Sequence, residues 1–179
     1  MNIGIIGQGF VGNAIYQKLN KYYKVFTYDL MAKLSNSTFE ETIERCKIVF
    51  ICLPTPMNSD GSCNLDIIDK VLTQINEYTD TERIVVIKST IIPGSTDKFN
   101  AKFKNIDIIF NPEFLTERTA KLDFLTQARI ILGGDKKYTS KVKELFADRF
   151  MHCYVIEMDT TTAEMIKYMN NVFFATKVS

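Results

Sequence analysis

Four side chains in this sequence have the types and spacing to do chemistry. Glu113 and Glu117 lie four apart in "NPEFLTERTA", directly after the apolar run "IDIIF". A carboxylate at a strand end can take a proton from water or hold a polyol, and a helical path through Phe114 and Leu115 would put both on one face. The same pair suits an ordinary helix entry, since acidic side chains favour the positive end of a helix, and Arg118 beside Glu117 fits that reading. Lys167 and Asn171, four apart in "AEMIKYMNNVFF", would bring an amine and an amide to one side of a long helix, toward a sugar or a carboxylate. They suit a solvated stripe equally well. A capping box with Thr161 as cap and Glu164 three residues on would start that helix, and Met165, Ile166, Met169, Val172 and Phe173 give it apolar area to bury.

Those groups need elements to position them. The chain starts with the strand pattern "MNIGIIG" and runs into "GQGFVG", a G-x-G-x-x-G turn at Gly7, Gly9 and Gly12 with Phe10 and Val11 inside it. The spacing has a mechanism: Gly7 permits the tight turn, Gly9 lets the backbone approach a pyrophosphate, and Gly12 lets helix and strand pack closely. Asp29 ends the second strand, "KVFTYD", where its carboxylate can accept from a ribose diol and repel a 2′-phosphate, so NAD is expected over NADP. Thr55, in "CLPTP", and Thr90, in "KSTIIPG", close two further strands and reach the same rim. Thr90 suits a bond to its own loop just as well. Lys88, two residues before Thr90, shares its face or reaches to solvent.

Strand and helix patterns alternate. After "GNAIYQKLNKYY" (helix) and "KVFTYD" come "TFEETIERC" (helix with a polar, capping start), "IVFICLP" (strand), "LDIIDKVLTQINEY" (helix), "RIVVIKST" (strand), "STDKFNAKF" (helix) and "IDIIF" (strand). Runs such as "IVFICL" and "RIVVI" lack polar alternation, which is what strands covered on both faces require. The expected fold is α/β: a Rossmann-like, doubly wound, mainly parallel sheet with helices on both faces, followed by the start of a long helix. Residues 1–158 are read as the nucleotide-binding domain and 159–179 as the start of that helix.

Composition narrows the partners. The chain has 179 residues, 46% hydrophobic, and 22 basic against 21 acidic side chains leave a net charge of +1. No basic patch marks a nucleic-acid binder, and no run approaches the about 18 apolar residues of a membrane span, so a cytoplasmic location is expected. Cys46, Cys52, Cys63 and Cys153 lack paired metal-site spacing, and the only histidine, His152, adjoins Cys153 in a strand-like segment where neighbours face opposite ways. No metal is expected.

Taken in order, "GQGFVG", Asp29, "CLPTP", "KSTIIPG", "NPEFLTE", "DFLTQARIILGG" and "AEMIKYMNNVFFATK" resemble the N-terminal NAD-binding part of the UDP-glucose and GDP-mannose dehydrogenase family. That resemblance implies an NAD-dependent enzyme that oxidises a sugar C6 alcohol to a carboxylate in two hydride transfers, with UDP-glucose as the expected substrate and a homodimer built on a central helix. It implies pyrophosphate binding at Gly7, Gly9 and Gly12, ribose binding at Asp29, nicotinamide contact at Thr55, and placement of water by Thr90 and Glu113. Substrate contact would come from Glu113, Phe114, Leu115 and Glu117, and oxyanion stabilisation from Lys167 and Asn171. The family also uses a nucleophilic cysteine in a "GGSC"-like segment beyond the central helix. None of the four cysteines has that context, although Cys63, in a loop, is the least ill-placed substitute. The chain is therefore expected to be a fragment without the sugar-nucleotide domain that does not complete the oxidation, and detection of a uronic acid nucleotide from it would refute that. Arg118 stands where the family has glycine, and "TQAR" lacks the family's proline although Arg129 remains. A β-hydroxyacid dehydrogenase or a non-catalytic NAD-binding module are the other readings, and "NPEF" with "CLPTP" argues against the first.

Overall fold

In the computed structural model, which describes residues 1–78, 81–115, 117–147, 149–150 and 153–178, seven strands form one sheet in the order β2-β1-β3-β4-β5-β6-β7. The strands are β1 (Asn2–Ile6), β2 (Lys24–Tyr28), β3 (Ile48–Ile51), β4 (Ile84–Ile87), β5 (Asp107–Phe110), β6 (Arg129–Gly133) and β7 (Tyr154–Met158). Helices α1 (Phe10–Leu19), α2 (Phe39–Arg45), α3 (Asp66–Tyr78) and α4 (Ser95–Lys102) make the crossovers among β1 to β5. Then follow α5 (Ala120–Thr126), α6 (Lys136–Ala147) and α7 (Thr160–Val178). β1 to β5 are mutually parallel, β6 and β7 are parallel to each other, and the two groups join antiparallel through Phe110 and Gly133 alone.

The unbroken apolar strands divide their side chains between two layers. Ile3, Ile5, Ile48, Phe50, Ile84 and Val86 pack against α1, α5 and α6 through Ile15, Leu19, Phe124, Val142 and Phe146. Ile6, Val49, Ile51, Val85 and Ile87 face the other way, onto Ile43 of α2, Leu72 of α3, Phe99 of α4 and Ala163 of α7. Each strand is thus buried on both faces, as its composition requires. α2 starts on Thr38, whose hydroxyl accepts from Glu41 N–H at 3.1 Å. β6, α5 and α6 complete the sheet beyond what the sequence pattern marks.

Three expectations are corrected. Residues 111–115 are not helical: Pro112 interrupts, Glu113 Oε2 accepts from Leu115 N–H two residues on, and the next turn starts only at Glu117, so Glu113 and Glu117 share no helical face. The cap of α7 is Asp159 rather than Thr161, because Asp159 accepts from both Thr162 N–H (2.8 Å) and Thr162 Oγ1 (2.6 Å). The apolar face of α7 is also only partly covered. Thr160, Ala163, Glu164 and Lys167 are its buried residues, whereas Met169, Val172 and Phe173 are exposed, Phe173 by 61%, because the sheet ends before the helix does. His152 lies outside the described residues.

Candidate cofactor and active site

β2 and β3 flank β1 on its two sides, so strand order reverses between β1 and β3, and the carboxyl ends of those two strands open a crevice there. It is about 690 Å³ in volume. Gly7, Gly9, Phe10, Val11 and Asp29 line one end, Thr55 and Thr90 the other, with Cys52, Lys88 and Glu113 on its floor.

The glycine turn needs its glycines for different reasons. Gly7 has φ +92°, and a Cβ there would stand 2.4 Å from Cys52 O. A Cβ at Gly12 would stand 1.9 Å from Gly7 O, so helix and strand could not approach as they do. Gly9 differs: its φ of −66° is ordinary and an added Cβ meets nothing within 4 Å. The space over Gly9 is open, in front of the α1 N-terminus, which has no side-chain cap and no acidic residue in its first turn. These residues fit a dinucleotide diphosphate. Gly9→Ala should therefore leave the urea unfolding midpoint unchanged yet weaken NADH binding about tenfold by calorimetry, whereas Gly12→Ala should lower stability by about 2 kcal/mol or more.

Asp29 is held by two backbone donors. Its Oδ2 accepts from Gln8 N–H at 2.7 Å and its Oδ1 from Met31 N–H at 2.8 Å. Each oxygen keeps a free lone pair, so the carboxylate is fixed in place and still able to receive a diol. Thr55 Oγ1 donates to Thr90 O at 2.8 Å, tying the ends of two neighbouring loops, and Thr90 lines the crevice.

The other end is a buried polar cluster on adjacent strand ends. Because Ile87 of β4 pairs with Phe110 of β5, Lys88 and Asn111 come next to each other, and Lys88 Nζ donates to Asn111 Oδ1 at 3.0 Å. Asn111 in turn donates to Ile131 O at 2.6 Å. Lys88 does not reach solvent; burial pulls its ammonium down to about 8, against the attraction of Cys52 and Glu113. Burial likewise pushes the Cys52 thiol up to about 12. From α7, Lys167, 6% exposed, donates to Glu113 O at 2.7 Å and to Glu113 Oε1 at 3.1 Å. Phe114 lies against this pair, with Lys167 Nζ 5.7 Å and Arg129 Cζ 5.5 Å from its ring centre. Leu115 packs beneath, among the residues facing α1 and α5. The side chain of Glu117 lies outside the described residues. Asn171 sits one turn beyond Lys167, exposed, and lines none of the cavities described here.

Sequence reasoning did not single out Asn111 or Glu164 for a role at this site. Asn111 had a signal: it is the first polar residue after β5, in register with Lys88 after β4. Glu164 had none, because its partners are about 70 residues away. Its carboxylate, 0% exposed, accepts from Gly94 N–H at 2.5 Å, Thr96 N–H at 2.8 Å and Thr96 Oγ1 at 2.6 Å. It caps α4, and so fixes the start of α7 one turn before Lys167. Cys63 is half-buried with Sγ 3.9 Å from Thr90 O.

A doubly wound sheet, a glycine turn open toward a helix N-terminus and a fixed acidic residue after β2 define an NAD-binding domain of a dehydrogenase. The family model for the UDP-glucose/GDP-mannose dehydrogenase family, NAD binding domain, matches residues 17–150, and the chain belongs to that family. Among its relatives is UDP-glucose 6-dehydrogenase YwqF of Bacillus subtilis (strain 168), 35% identical over 151 residues, covering 80% of this chain and 34% of that protein. UDP-glucose 6-dehydrogenase AglM of Haloferax volcanii is 35% identical over 165 residues, covering 82% of this chain and 38% of AglM. The chain thus spans about a third of the length of these relatives. Among solved structures, a ternary complex of GDP-mannose dehydrogenase from Pseudomonas aeruginosa superposes with a TM-score of 0.88 at 24% identity, over 99% of this chain and 51% of that one. At that identity the likeness is one of fold.

Proposed function

We propose that this chain is the cofactor half of a nucleotide-sugar 6-dehydrogenase, with UDP-glucose as substrate, oxidised at C6 to the uronate in two hydride transfers to NAD. Residues 1–158 form its cofactor domain, and 159–179 begin a helix that connects to a sugar-nucleotide domain and whose exposed apolar side is buried in a homodimer. The observation that carries the reading is the Lys167–Glu113 pair, set by α7 at the rim of a dinucleotide crevice.

Bound NAD would accept hydride from the sugar carbon. The chain's own residues would do the rest. Gly7, Gly9, Phe10, Val11 and Gly12 hold the diphosphate at the start of α1, Asp29 holds the adenosine ribose, and Thr55 and Thr90 bound the nicotinamide end. Lys167 has three protons and gives two to Glu113, which leaves one for an alkoxide at the sugar C6, with Asn171 adding an amide once the substrate is seated. Glu113 keeps one lone pair on each oxygen and, with Thr90, orients the water that would cleave an acyl intermediate. Phe114, Leu115 and Glu117 border the sugar. Cys46 and Cys52 are both pushed up to about 12 by burial and stay protonated thiols at neutral pH, so neither serves as the acyl-accepting thiolate.

The test begins with calorimetry of this chain against NADH and NADPH, then follows uronate formation by the whole enzyme from UDP-glucose, GDP-mannose and a small hydroxyacid. NADH is expected to bind at least about tenfold more tightly than NADPH, because Asp29 repels a 2′-phosphate. UDP-glucuronate should be the product. Preferred oxidation of the hydroxyacid, or of GDP-mannose, would overturn the substrate assignment.

A further inference from the structure

The glycine turn borders two cavities. Gly9 and Phe10 line the crevice described above and also a second cavity of about 720 Å³ on the other side of the turn. Gln8 and Asn13 complete the near wall of that second cavity, and Arg118 and Lys121, from the segment that enters α5, form the far wall.

Its chemistry suits an anion. The helical bonds of α1 start with Asn13 N–H to Gly9 O, so the N–H groups ahead of Asn13 have no partner within the helix. Gln8 is 6% exposed, and its Nε2 is buried with no hydrogen-bond partner. A buried donor left this way points to an absent acceptor. Arg118 is exposed and forms no ion pair among the described residues, and no acidic side chain is among the described residues lining the cavity. A guanidinium presents paired donors matched to phosphate oxygens, which an ammonium does not.

We propose that Arg118, supported by Lys121, closes on the diphosphate of the bound dinucleotide from the side opposite the α1 N-terminus, while the Gln8 amide donates to the same group. The inference rests on the assignment of the glycine turn to NAD and adds to it a cationic wall facing the helix N-terminus. Arg118 is then a determinant of cofactor affinity.

The experiment is calorimetric titration of the 179-residue chain with NADH, with ADP-ribose, which has the diphosphate but no nicotinamide, and with inorganic phosphate, each at low and at physiological salt. Arg118→Gln is expected to weaken NADH and ADP-ribose alike by about tenfold at low salt and to flatten the salt dependence, with an unchanged urea midpoint. Arg118→Lys should recover part of the loss. Asp29→Ala should weaken NADH without altering the salt dependence, which tests the crevice assignment apart from Arg118. Wild-type NADH affinity in Arg118→Gln overturns the proposal and leaves the crevice assignment standing. A loss confined to inorganic phosphate, or one accompanied by a lower urea midpoint, overturns it as well. A wild-type chain that is folded and binds neither dinucleotide nor ADP-ribose overturns both.

Discussion

Replacing Lys167 with methionine in the whole enzyme is expected to lower kcat/KM by about a thousandfold, equivalent to about 4 kcal/mol of transition-state stabilisation, while NADH affinity stays within about twofold. The size follows from position. Lys167 Nζ is almost fully buried, so the charge it offers to a developing alkoxide is little weakened by water. Methionine keeps the length and apolar stem of the side chain, and Lys167 is not among the residues lining the dinucleotide crevice. Its ammonium also fixes the Glu113 carbonyl and carboxylate, so Glu113→Gln in the same background should add little to the loss, because residues acting as one unit are not additive. Turnover that survives Lys167→Met with unchanged kcat would remove the catalytic assignment and leave an NAD-binding module.

Glu164→Ala is expected to destabilise the chain by about 4 kcal/mol, read from urea unfolding. Three donors, Gly94 N–H, Thr96 N–H and Thr96 Oγ1, would lose the carboxylate that accepts from them, and Thr96 is fully buried. Unsatisfied buried donors cost about 1–3 kcal/mol each, partly relieved when water enters the space the side chain leaves. Glu164→Gln keeps one acceptor but turns an NH₂ group toward a backbone N–H, so about half the loss is expected. Hydrogen exchange should show where the damage lies: amides of residues 94–97 and 160–167 should lose protection before those of β1, β3 and β4. An alanine variant within about 1 kcal/mol of wild type would show that the carboxylate is not what holds α7 to α4.

Much of this was legible from local pattern. Strands β1 to β5 announce themselves because burial on both faces demands uninterrupted Ile, Val and Phe, and the glycine turn and Asp29 follow from backbone geometry that only certain residues allow. What was not legible depends on partners far along the chain. Thr161 and Glu164 have the spacing of a capping box, yet the helix starts two residues earlier, on Asp159, and the Glu164 carboxylate goes to α4 instead. Lys88 resembles a surface lysine until β5 places Asn111 beside it. Glu113 is the same kind of case. Its neighbours predict a helix entry, but Pro112 and the bond to Leu115 N–H make a turn, and Lys167 from α7 decides what the carboxylate can do. α6 escaped because its lysines and hydroxyl side chains blur the period that the earlier helices show.

The joint between β5 and β6, where Phe110 and Gly133 are the only paired positions, gives the molecule a mechanical grain. The five-strand block carries the dinucleotide turn, while α7 follows the two-strand block, so the crevice and Lys167 are positioned from opposite sides of that joint. Glu113 to Lys167 and Gly94 to Glu164 are bolts driven across that seam. What holds the blocks together there is side-chain packing and these bonds rather than a ladder of backbone pairs, so the reach of the lysine is set by how the two blocks seat against each other.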